Sequence, residues 1–245
     1  MFSEITTFLV ILIIFCATLT RSTFGFGDAL VAMPLLTIAI GIRAATPLIA
    51  LVAFSTSFLI IIRNWEKAQI QAAWRLIISS LLGIPAGLFL LKHGNEKVIK
   101  TILAFVIIII SLFNLVRPRS LKLEGEKFAF IFGFIGGILG GAYNTNGPPV
   151  VIYGTLRRWN PGNFRATLQG YFLPTSISIA IGHGLSGLWT EKVFIYYLIN
   201  LPFVVTAIII GGVLNRSITG RNFINFIFML LILMGLLLLL HTVKS

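Results

Sequence analysis

Acidic residues are scarce: seven Asp and Glu among 245 residues, with only 11% charged in total. A soluble domain is about a quarter charged, so this chain lacks the material for a solvated surface and belongs to a membrane class. It has one cysteine, Cys16, which excludes an intrachain disulfide and a cysteine zinc site. Its three histidines, His93, His183 and His241, are dispersed, and no pair has metal-ligand spacing. No GxSxG nucleophile motif occurs, and no GxxxxGK followed by Ser or Thr, so ATP is not bound through a P-loop. The expectation is no catalytic residue, no metal and no cofactor: not an enzyme. No Lys or Arg precedes Arg21. The basic n-region of a signal peptide is therefore missing, and the first apolar run is expected to stay as a helix.

What is present is oil. The composition is 57% hydrophobic and the mean hydropathy is +0.99. A bilayer core needs about 20 apolar residues per upright helix, so roughly eight spans fit. The net charge of +12 would suggest nucleic acid in a soluble chain. Here Lys and Arg sit at the ends of apolar runs, where they face anionic lipid. The expected partners are membrane lipid and a small anion, with no nucleic acid; self-association into a homo-oligomer stays open.

Apolar runs fall at about 5–20, 29–40, 44–62, 72–91, 98–116, 128–142, 149–156, 164–182, 192–214 and 222–240. At ~1.5 Å per residue, 29–40 and 149–156 reach only about 18 and 12 Å, too short to cross. Each follows a Gly-rich break, "STFGFGD" (22–28) and "GGAYNTNGPP" (140–149). "RAAT" (43–46) then matches "FRAT" (164–167), and "NWEK" (64–67) matches "LWTEK" (188–192). Four features in one order predict an internal repeat. The expected fold is all-α: a polytopic transmembrane bundle of two repeats, 1–118 and 128–245, joined by a cytoplasmic linker at 119–127. Each repeat holds a broken or re-entrant helix pair plus three spanning helices. Whether a repeat crosses three or five times, the number is odd, so the repeats are inverted. With the N-terminus on one side, six Lys and Arg fall on that side and twelve on the other, Arg21 being left out. The positive-inside rule makes the richer side cytoplasmic and puts both termini outside.

Irregular backbone at membrane depth must be buried in protein or line a wet cavity. Pro148 and Pro149 suit a helix's first turn, and Asn146 suits its N-cap. The second break therefore predicts a short helix starting at Gly147 with its N-terminus inside the membrane. Such an end carries a partial positive charge and amide donors, which favour an anion. Asn144, Thr145 and Asn146 would add side-chain donors, and the glycines, Gly25 and Gly27 in the first break included, allow close backbone approach. The opposite reading makes 140–149 a packing turn that binds nothing. Glycines in "GFIGGILGG" (133–141) are expected to serve helix packing.

Asp28 alone among the seven acids falls inside an apolar region, and an intramembrane acid is a functional candidate. Three roles are open to it: helix cap, ion-pair partner of Arg21, or proton carrier. Arg21 either ends the first helix at the membrane surface or lies under the break and attracts anions. Arg165 either anchors its helix end or recruits anions at a cavity mouth.

"GFGDALVAMPLL" (25–36) and "GGAYNTNGPPVVIYG…NFRATLQGYF" (140–172) resemble the paired signatures of the TauE/SafE sulfite exporter family, also called the 4-toluene sulfonate uptake permease family. The likeness spans about 9–240. It implies an integral carrier for small sulfur-containing or organic anions in a bacterial inner membrane, with its site at the two signature loops. It carries over to Gly25, Gly27 and Pro34, and to Gly147, Pro148, Pro149, Phe164, Arg165 and Ala166. Asp28 departs from the family's pattern of further glycines, which points recognition toward the "YNTN" half. The functional expectation is a secondary transporter of sulfite- or sulfonate-like anions. The substrate set is Asn144, Thr145, Asn146, Gly147, Pro148, Gly25, Gly27, Arg21 and Arg165. An anion channel is the first alternative and an intramembrane enzyme the second.

Overall fold

A computed structural model describes residues 4–64, 70–116, 123, 125–159, 161–217 and 221–244. The described residues form ten helices in chain order: α1 (Glu4–Phe24), α2 (Asp28–Ile40), α3 (Ile42–Asn64), α4 (Ile70–His93), α5 (Glu96–Val116), α6 (Phe128–Tyr143), α7 (Gly147–Leu156), α8 (Pro161–Leu185), α9 (Glu191–Ser217) and α10 (Arg221–Lys244). Most of the linker and most of "NWEK" lie outside the described residues. So do the side chains at positions 63, 67, 117, 119, 122, 165, 216, 221 and 244, all of which weigh in the charge count.

Helix is the form such a sequence must take. Apolar surroundings cannot satisfy backbone N–H and C=O groups, and a helix satisfies them within itself. Among the described residues, α1, α3, α4, α5 and α9 contain stretches long and apolar enough to cross a membrane. Large apolar side chains such as Phe8, Leu82, Phe89, Ile109 and Leu185 are exposed, which suits a surface bathed in lipid chains. The expected short runs appear as α2 and α7, of 13 and 10 residues.

The tightest crossing joins α4 and α6. Gly133, Gly137 and Gly141 recur every fourth residue, on one stripe of α6. A Cβ on them would collide with Leu76, Ser80 and Ile84 of α4. In return, Gly83 and Gly87 of α4 sit against the backbone of Phe134 and Ile138. Ser80 Oγ donates to the Gly133 carbonyl across the crossing at 2.6 Å. These glycines pack helices, as small residues in membrane proteins do.

The packing partners fall into matched sets. Helix α1 packs on α9 as α6 packs on α4, and α3 packs on α9 as α8 packs on α4. Helix α1 precedes and touches α2 as α6 does α7, while α3 meets α8 and α5 meets α10. Exchanging α1–α5 for α6–α10 leaves these pairings intact, whereas the packing of α2 on α10 and α5 has no equal at α7.

Candidate functional site

Both breaks turn through left-handed backbone. After α1, Gly25 has φ 89° and Gly27 has φ 102°, values that glycine reaches without strain. After α6, Asn144 takes φ 53°, and Asn is the commonest substitute there. The local bonding is the same in both. The Gly25 amide donates to the Arg21 carbonyl at 2.7 Å, and the Asn144 amide to the Gly140 carbonyl at 2.8 Å. Arg21 and Gly140, Gly25 and Asn144, and Asp28 and Gly147 are each 119 residues apart.

The two breaks face each other. Gly147 lies against the Phe172 ring of α8, with the Cβ of Phe26 from the first break just beyond. Over the same Phe172 ring, 4.7 Å from its centroid, sits the Arg21 guanidinium. Arg21 is 3% exposed, so it lies under the break and not at a surface. Its Nη1 pairs with Asp28 Oδ2 at 2.6 Å, and its Nη2 donates to Ser57 Oγ of α3, also at 2.6 Å. Its Nε is buried without a hydrogen-bond partner. Ser57 Oγ also accepts from Ser176 Oγ of α8 at 3.3 Å. Ser57 and Ser176 are again 119 residues apart.

Of the three roles open to Asp28, the ion pair with Arg21 is present in the structure. Asp28 is the first residue of α2, and no side-chain hydrogen bond caps that helix at Gly27. Helix α7 begins at Gly147 with Asn146 at the N-cap position, but the Asn146 side chain does not cap it. Its Nδ2 donates instead to Thr175 Oγ1 of α8 at 3.0 Å. Asn144 Nδ2 donates to the Ile49 carbonyl of α3 at 3.3 Å, and Thr145 Oγ1 to the Tyr143 carbonyl at 3.0 Å. All three side chains are buried, and each has a donor committed to the protein. Asn144 and Asn146 tie the second break to α3 and α8.

The helix ends also differ in donors. A first turn has backbone N–H groups with no partner inside the helix. Pro148 and Pro149 lack theirs, so α7 offers its dipole and the Gly147 amide, fewer donors than the sequence suggested. Helix α2 has no proline in its first turn and keeps the amides of Asp28, Ala29 and Leu30. The buried cation is also in this half. That cation is paired with Asp28, and the second break carries no charged side chain. The side chain of Arg165 lies outside the described residues; its backbone is in α8.

Sequence reasoning missed Ser57, Phe172, Thr175 and Ser176. The signal was there: "STS" (55–57) and "PTS" (174–176) are hydroxyl clusters in apolar helices at the 119-residue offset.

A buried arginine between two facing helix breaks, in a bundle with an apolar exterior, defines an integral membrane protein with an interior polar site. The profile of the sulfite exporter TauE/SafE family matches residues 10–238, and the chain belongs to that family. It is similar to a probable sulfite/organosulfonate exporter TauE of Cupriavidus necator, 25% identical over 146 residues that cover 56% of this chain and 57% of that protein. The matched segment thus takes in little more than half the length of that relative. No solved structure matches the chain.

Proposed function

We propose that the chain is a secondary transporter of small sulfur oxyanions, sulfite or sulfonates, that holds the anion at Arg21 between the two helix breaks. The observation that carries this is the buried guanidinium with an unpartnered Nε. Guanidinium donors form a fork that matches an oxyanion's oxygens, and burial makes each such bond stronger than it would be in water. Ser57 and Ser176 add hydroxyls, Gly147 an amide, and the α7 dipole a favourable field. Asn144, Thr145 and Asn146 shape the second break, and Gly25 and Gly27 form the turn that brings Asp28 back to Arg21. Arg165 recruits anions at the mouth. Family membership and the sulfite-related name of the relative agree with this substrate class.

Residues 1–118 and 128–245 form two inverted repeats about a cytoplasmic linker at 119–127. The matched packing of α1–α5 and α6–α10 and the recurring 119-residue offset support this. Alternating access follows by rocking of one repeat against the other, in a bacterial inner membrane with both termini outside. Purified full-length protein in liposomes should show saturable counterflow of labelled sulfite. The Arg21→Gln/Asp28→Asn double variant removes the cation without stranding a buried charge and should abolish it. Absence of exchange for sulfite and for every sulfonate tried, or unitary currents in a planar bilayer, would defeat the proposal.

A further inference from the structure

Resting on the reading of Arg21 as the anion's anchor, we infer that the Asp28 carboxylate is a tethered competitor: it occupies Arg21 when no substrate is bound and must leave when substrate arrives. Asp28 Oδ2 lies 2.6 Å from Arg21 Nη1. A carboxylate and a sulfur oxyanion present the same chemistry to a guanidinium, oxygens sharing negative charge. The pair is closely shielded, at 3% and 13% side-chain exposure, so its charges cancel where solvation is poor. An anion added to the intact pair would carry net negative charge into that space. Burying unpaired charge is strongly unfavourable, so the anion and Asp28 exchange places on Arg21, and the freed carboxylate swings out with the start of α2 to the water that admits the anion. The turn at Gly25 and Gly27, both at positive φ, is the hinge that lets the start of α2 move away.

The same pair sets how the carrier resets. Without Asp28 the unloaded protein would hold an uncompensated cation at membrane depth. With Asp28 the unloaded state is neutral inside and can reorient. Asp28 therefore lowers affinity and permits the empty carrier's return. Net efflux requires that return; exchange of labelled for unlabelled substrate does not.

The test uses full-length protein, purified and reconstituted, with sulfite as the probe. In Asp28→Asn, sulfite should bind about tenfold more tightly, the worth of one charge-assisted hydrogen bond no longer competed for. Net efflux should fall far more than counterflow. Because Asp28→Asn leaves Arg21 unpaired, the variant is also expected to be less heat-stable, with saturating sulfite raising its melting temperature more than that of the parent. If it does not fold, Asp28→Ala purified with formate replaces it. Formate should restore stability and net efflux there, and should compete with sulfite. Unchanged or weaker sulfite binding in Asp28→Asn, equal loss of efflux and counterflow, or no effect of formate on Asp28→Ala would overturn the inference. The anion-site reading would still stand if the Arg21→Gln/Asp28→Asn variant had lost binding. If that double variant binds sulfite like the parent, the site reading itself fails.

Discussion

Arg21 has three kinds of neighbour at once: a carboxylate, a hydroxyl and an aromatic face. A lysine would keep the charge but lose the planar fork, so it could not serve Asp28 and Ser57 from two nitrogens while lying flat on Phe172. Arg21→Lys should weaken sulfite binding by roughly ten- to a hundredfold, the worth of one hydrogen bond to a charged group, as measured by titration calorimetry; binding within twofold of the parent would count against the fork. Asp28 was legible beforehand because an acid inside an apolar region stands out. Its partner was legible only as one of several roles, since seven residues along a chain with a break between them leave the side-chain geometry undetermined. Ser57 and Ser176 were marked in the sequence only as members of two hydroxyl clusters, not as partners of Arg21 and of each other. A serine in a membrane helix usually returns its proton to its own helix, as Ser57 does to the Ala53 carbonyl at 2.8 Å, and nothing local reveals that its oxygen also receives from another helix. The donors expected of Asn144, Thr145 and Asn146 are present, but only the packed structure reveals that each already gives one hydrogen to a protein acceptor.

Helices carry the positions of these residues, and the α4–α6 crossing is where the second break is held. Gly137 faces the backbone of Ser80, so Gly137→Val must push the helices apart. Overpacking of this kind costs ~1–3 kcal/mol, and it should lower the melting temperature in detergent and weaken sulfite binding together. An unchanged melting temperature would mean the two helices are not held in this contact. His183 adds a second tie, its Nε2 lying 2.9 Å from the Gly141 carbonyl. A carbonyl can only accept, so the proton sits on Nε2. Element boundaries were readable because lipid demands unbroken apolar helix and the breaks are marked by glycine, asparagine and proline. The pairing of α6 with α4, across the linker, was not readable, because a glycine stripe states that a helix approaches and not which one.

At the scale of the whole molecule, charge decides orientation. Lys97 near the start of α5 and Arg158 just past the end of α7 are both exposed, and the charge count assigns them to opposite faces. With Cys16 replaced by serine, Lys97→Cys should react with an impermeant maleimide added to intact cells. Arg158→Cys should react only after the membrane is opened. The reverse pattern would invert the topology while leaving the fold unchanged. The proposed repeat rests in the sequence on four short matches in order. The 119-residue correspondence was not legible there, because it joins Arg21 with Gly140 and Asp28 with Gly147, residues of unlike chemistry.

In the proposed repeat Ser57 and Ser176 are counterparts, and they touch each other. Contact between counterparts can occur only where the two halves meet on their mutual axis. If the halves trade shapes as proposed, this contact maps onto itself. It would then be the fulcrum of the rocking motion, and cargo gripped beside it would travel least of anything in the protein while the walls on either side open and shut around it.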